Sequence, residues 1–75
     1  MTGKEYCDAL ELLGLNFESA ARFLRMDSRT SRRIGQGDDT LGWPRAALLR
    51  LMVARRIKTQ EVEELMRDFN QENDE

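Results

Sequence analysis

Four side chains in the middle of the 75-residue chain pose the chemical question. Arg29, Arg32, Arg33 and Gln36 stand at i, i+3, i+4 and i+7, the spacing that brings side chains onto one face of a helix. Such a face is a row of N–H donors, three guanidinium forks that keep their charge at any ordinary pH and one amide. It holds no nucleophile and no base, so its chemistry is recognition. The acceptors that suit it are paired ones, such as O6 and N7 of guanine, which one guanidinium grips with two hydrogen bonds, and a helix end fits the major groove of DNA. Ser28, at the start of the same helix, is near enough to reach a base edge or a phosphate. Thr30, Ser31 and Ile34 fall on the other side and are expected to face neighbouring helices.

Composition narrows the alternatives. A chain this short buries one small core, which predicts a single domain with no room for a separate catalytic cleft. Cys7 is the only cysteine and there is no histidine. An internal disulfide, a zinc knuckle and Cys/His or Ser/His/Asp catalysis are therefore excluded, and the expectation is a protein that is not an enzyme and needs no cofactor or metal. Cys7 reads as a structural or partly exposed residue of an amphipathic helix. No apolar run approaches membrane-spanning length and the N-terminus lacks a secretory signal, so a cytoplasmic protein with no membrane partner is expected.

The formal net charge of −2 conceals a segregation. From Met1 to Ala21 one lysine meets four acids, a net of −3; from Arg22 to Lys58 ten basic residues meet Asp27, Asp38 and Asp39, a net of +7; beyond that Arg67 meets seven acids, a net of −6. A basic middle between acidic ends suits a polyanionic partner, which attracts cationic surface from a distance and rewards the release of its counterions.

Five helices are expected to position these groups. Thr2 caps a first helix over about Gly3 to Leu13, with Tyr6, Ala9, Leu10 and Leu13 at amphipathic spacing and Gly14 as its stop. Asn16 caps a second, Phe17 to Leu24, ending near Arg25. Asp27 caps a third from Ser28 to about Gly35, followed by a loop over Gln36 to Asp39. Pro44 suits the first turn of a fourth helix, on which Ala47, Leu48, Leu51 and Met52 form a stripe up to about Ala54. Thr59 caps a fifth, with Val62, Leu65, Met66 and Phe69 on one side and Glu61, Glu64 and Asp68 on the other. Residues 71–75 read as a frayed acidic tail. Trp43, beside Pro44, is expected to pack over the edge of the core.

The run LGLNFESAARFLRMDSRTSRRIGQGDD followed by WPRAALLRLM, within about Tyr6 to Met52, resembles the small helix-turn-helix transcriptional regulators of the phage repressor/Cro-like class, among them autorepressors encoded beside anti-CRISPR genes. The helices predict an all-α domain over residues 1–70, and the short turn between the second and third suggests a helix-turn-helix there, as the resemblance also implies. The resemblance implies that Ala21 sits where those two helices approach and that Leu24, Met26 and Ile34 are core. It places base reading on Ser28, Arg29, Arg32 and Arg33 and phosphate contact on Asn16 and Arg45. The chain departs from the pattern at two positions. Arg25 stands where the turn usually has glycine, which demands a left-handed backbone or a reshaped turn. Ser31 stands where a β-branched apolar residue is usual, and its hydroxyl is expected to bond a carbonyl one turn back, leaving the third helix less firmly packed.

Together these expectations describe a sequence-specific regulator, a repressor or autorepressor, that binds an inverted-repeat operator in double-stranded DNA as a homodimer and takes no small-molecule ligand. The dimer is expected through Val62, Leu65, Met66 and Phe69 on residues 59–70, paired with the same helix of a mate, because a fifth amphipathic helix has surplus apolar surface to cover. The rival from another class is a protein-binding helical module, an antitoxin or adaptor that holds its partner with the last helix.

Overall fold

The first three helices begin where a side chain accepts from their unpaired N–H groups. The computed structural model describes residues 1–73, with side chains through Asp68. Among the described residues it is all-helical, with α1 over Gly3–Leu13, α2 over Phe17–Leu24, α3 over Ser28–Gln36, α4 over Trp43–Arg55 and α5 over Thr59–Asn73. Thr2 Oγ1 accepts from the Glu5 amide at 3.1 Å, and Asp27 Oδ1 accepts from the Thr30 amide at 2.7 Å. Asn16 and Ser19 exchange side-chain and backbone bonds at 2.8 and 2.9 Å in a reciprocal capping box, which satisfies two orphan donors at once. Gly42 precedes α4 and gives no side-chain cap; Pro44 instead removes one of the donors that would need one.

The ends follow a common device, a left-handed residue that turns the chain out of the helix. Gly14 and Gly37 take it freely, but Arg25 at φ 61° and Arg56 at φ 55° take it with a side chain attached, a conformation that costs an L-residue roughly 1–2 kcal/mol. Of the two outcomes open to Arg25, the left-handed one is realised. α5 differs from expectation at both ends. Thr59 is its first residue, the Lys58 carbonyl accepts from the amides of Glu61 and Val62, and the helix runs to Asn73, so 71–73 continue it.

The core lies among α1 to α4 and joins Tyr6, Leu10, Ala20, Leu24, Ile34, Leu41, Ala46 and Leu49. Ala21 is buried, and Met26 packs against the cluster from the side. α4 is rotated from the expected stripe: Ala46, Leu49 and Met52 face inward, while Leu51 is 52 % exposed. The segment is apolar nearly all round, so period alone does not choose its inner face. Burial of Ala46, Leu49 and Met52 decides it, and two arginines of α4 add ties to the rest of the fold. Arg45 donates to the carbonyls of Leu24 at 2.8 Å and Arg25 at 3.3 Å, and Arg50 makes a two-pronged ion pair with Glu5 at 2.6 and 3.1 Å. Trp43 is likewise not core. It is 79 % exposed because Leu41, just before the helix, fills the edge of the cluster instead.

The third helix is seated by a polar bond inside this core. Tyr6 and Ser31 are both fully buried, and their hydroxyls bond each other at 2.6 Å. Ser31 therefore does not rely on its own helix for a partner, and the loose packing expected of α3 gives way to a fixed tie to α1. Burial pushes the Tyr6 phenol above its ordinary pKa, against the opposing effect of the Ser31 hydroxyl, and keeps it protonated. Close backbone approach adds to the tie. A Cβ on Gly3 would meet the Gly35 and Ile34 carbonyl oxygens at 2.8 and 2.9 Å, and, against α2, one on Gly35 would meet the Phe17 ring at 2.6 Å.

Removing one hydroxyl of the buried pair strands the other. Ser31→Ala is expected to lower stability by about 1–3 kcal/mol in urea unfolding, and Tyr6→Phe by less, because Ser31 can turn to a carbonyl of its own helix. The double variant should be more stable than the sum of the singles implies. Equal and additive losses would remove the pair from this role.

Two exposed carboxylates tie stability to acid pH. Glu5 is held below its ordinary 4.5 first by its hydrogen bond from Arg50, and Asp27 below its ordinary 3.8 first by the Thr30 amide. A lowered carboxylate contributes stability that is fully present above the unfolded pKa and is lost as pH falls through the folded one. The urea midpoint should thus drop in the window below these ordinary values. Glu5→Gln with Asp27→Asn should flatten that acid limb, and a limb of unchanged steepness would show that other groups set it.

Candidate nucleic-acid interface

With Ser31 and Ile34 buried, the opposite side of α3 is compelled outward. Arg29, Arg32, Arg33 and Gln36 are all exposed, as the spacing predicts, and Ser28 is half-buried at the start of the helix. The four long side chains form one row, on a helix whose N-terminus is closed by Asp27 and whose C-terminus turns away at Gly37. The buried pair and the glycine contacts set how that row is rotated, so the core decides where the donors point.

The row is not electrically uniform. Arg32 Nη2 donates to Glu18 Oε1 at 3.2 Å, linking α3 to the first turn of α2. Both side chains are about half-exposed or more, and such a pair is worth at most about 1 kcal/mol. It holds Arg32 in place while leaving it available to a stronger acceptor. Arg29 and Arg33 make no ion pair among the described residues. They are the uncommitted cations of the face.

The flanking positions divide in role. Asn16 is exposed at the start of α2, with its side-chain oxygen engaged in the capping box; only its amide nitrogen remains to donate outward. Arg45, exposed at the start of α4, also bonds within the fold. Its guanidinium grips the last carbonyls of α2 and the strained Arg25 position, so it braces the turn between α2 and α3 from α4. Asn16 and Arg45 thus mark opposite ends of α2.

The expected dimer residues lie apart from this face. Val62 is half-buried, Leu65 is 69 % exposed and Met66 50 % exposed; the side chain of Phe69 lies outside the described residues. No helix among the described residues is long and apolar enough to cross a membrane, and none of their acidic or cysteine side chains gather as a metal-binding group.

Tyr6 and Glu18 both bond residues of α3, a link that sequence spacing did not reveal. Tyr6 reads as an ordinary core residue and Glu18 as an ordinary helix-start acid; each gains its role from a residue 25 or 14 positions away. Cys7 reaches the Gly35 carbonyl at 3.7 Å, a weak contact that fits a packing role. No protein-family model, curated protein or solved structure matches this chain.

Proposed function

We propose that the chain is a sequence-specific DNA-binding regulator in which α2, the Arg25–Asp27 turn and α3 act as a helix-turn-helix. The observation that carries this reading is the exposed row of Arg29, Arg32, Arg33 and Gln36 on a short helix whose other side is locked into the core. A rigidly seated helix that offers only donors is suited to reading acceptors on base edges. Ser28 and Arg29 stand at the end that enters the groove, Arg32 and Arg33 one turn on, and Asn16 contacts the backbone from α2. Arg45 acts on the turn as well as on phosphate. Two protomers read an inverted repeat, with recognition helices about one DNA turn, roughly 34 Å, apart, and repression follows from occupying the promoter.

The reading separates from a protein-binding adaptor by selecting DNA sites from a random pool and measuring affinity against salt. A polyanion contact makes log affinity fall steeply with log salt, by roughly 0.9 for each phosphate neutralised; a flat plot, or no selected site, favours the adaptor. Arg29→Ala or Arg33→Ala should lose about 1–3 kcal/mol on the selected site with the fold intact. Arg45→Ala should weaken all sequences alike and also lower thermal stability, since it releases two carbonyls. Wild-type affinity in both α3 variants would remove the row from the interface.

Glu18 lies beside the row and competes for Arg32. Glu18→Gln should therefore raise affinity for any DNA, by removing a negative charge near phosphate and releasing the guanidinium. The check is a direct titration at low salt, where the gain should be largest and should shrink as salt is added. A loss of affinity would show that Glu18 instead positions Arg32 for reading.

A further inference from the structure

α4 carries a second apolar stripe that the core does not use. Trp43, Ala47, Leu51 and Ala54 stand at i, i+4, i+8 and i+11 and share the side of the helix away from Leu49 and Met52. Trp43 and Leu51 are largely exposed, Ala54 is exposed and Ala47 half-buried. Arg50 and Arg55 border this stripe on its two sides, and both are exposed. α5 has the converse pattern. Its stripe of Val62, Leu65 and Met66 is bordered by Glu61 and Asp68 on one side and by Glu63, with Arg67 beyond it, on the other, all four exposed.

We propose that α5 of one copy lies along the outer face of α4 in a second copy, and reciprocally, so that two such contacts close a two-fold dimer. Charge selects this occupant. Acid-flanked α5 meets arginine-flanked α4, whereas α5 on α5 would set Glu61, Glu63 and Asp68 near the same acids, and α4 on α4 would set arginine near arginine. Arg55 makes no ion pair among the described residues, and Arg50 keeps its bond to Glu5 at the margin. The lengths match: 13 residues in α4 and 15 in α5 span roughly 20 and 22 Å. Within one chain Trp43, Leu51, Leu65 and Met66 all remain exposed, so α5 does not cover its own α4. Reciprocal exchange covers both stripes twice and leaves neither open for further growth. Trp43 becomes the buried anchor of each contact.

This dimer supplies the two-fold arrangement of the proposed function, and only that consequence rests on the DNA-binding reading; the interface is measured without DNA. Trp43 is the sole tryptophan, so its emission reports on the contact directly. The full chain is followed by sedimentation velocity and tryptophan fluorescence over a dilution series, beside Leu51→Asp and Leu65→Asp. The wild type should be a dimer with blue-shifted emission that moves to the red as dilution halves its mass. Each variant, folded by circular dichroism, should associate about thirtyfold or more weakly, the loss expected of a buried anchor, and emit at the red limit. An equimolar mixture of the two variants should recover dimers, because one of the two contacts then joins an intact α5 to an intact α4.

Several results overturn the proposal: a wild type that stays monomeric, a dimer whose Trp43 emission equals the monomer's, Leu51→Asp dimerising as the wild type does, a mixture that stays monomeric, or Leu65→Asp unfolding the chain. A dimer with the expected signature that selects no DNA site would leave the interface standing and remove the regulator reading. Sequence-specific binding by a monomer would do the reverse.

Discussion

A hydroxyl pair sealed from water between α1 and α3 is the constraint on which the rest of the molecule depends. Tyr6 and Ser31 lie at zero exposure with their oxygens 2.6 Å apart. Buried hydroxyls tolerate few geometries, because an unpaired one forfeits a hydrogen bond that water would have supplied. An apolar residue at position 31 would have added contact area, but contact area is indifferent to small rotations of a helix. A directional bond is not. α3 buries only Ser31 and Ile34, so this single bond, with the close backbone approach at Gly3 and Gly35, sets the rotation of the whole helix and with it the aim of the arginine row.

The arginines divide by what surrounds them. Arg45 and Arg50 each join α4 to another part of the fold through short hydrogen bonds. Arg25 is structural through its backbone, closing α2 in a left-handed conformation that Arg45 supports from outside. Arg32 is held loosely by Glu18, and Arg29 and Arg33 stand clear on the exposed side of α3. A count of positive charge over residues 22–58 merges these roles. The field they produce at a distance is common to all of them, whereas the ability to bind an outside acceptor belongs to those whose donors the fold has not consumed.

Apolar surface is divided in a similar way. Four helices close the core, and the surplus falls on Leu12 of α1, on the outer side of α4 and along α5. Scattered exposed apolar residues are ordinary on a small protein. Two stripes bordered mainly by arginine on α4 and mainly by acid on α5 are a less common arrangement. The position of Trp43 follows from this division: Leu41 occupies the edge of the core, and the indole stands on the outer line with Leu51.

Local signals decided most of the helix boundaries. Thr2, Asn16 and Asp27 cap, Gly14 and Gly37 stop, Pro44 suits a first turn, and each acts through bonds within a few residues of itself, so the linear order of the chain contains the information. The exposed face of α3 was legible for the same reason, because a helix with Ser31 and Ile34 on one side has Arg29, Arg32, Arg33 and Gln36 on the other wherever it sits. Tertiary structure alone decided the rest. The inner face of α4 could not be chosen from a segment apolar on nearly every side; packing of Ala46, Leu49 and Met52 into the core decides it, and Trp43 and Leu51 turn outward as a result. The partner of Ser31 is 25 residues away, that of Arg32 is 14 and those of Arg45 are 20 and 21. Helical periodicity reports which side of a helix a residue occupies, and it carries no information about which residue of another helix will be waiting there.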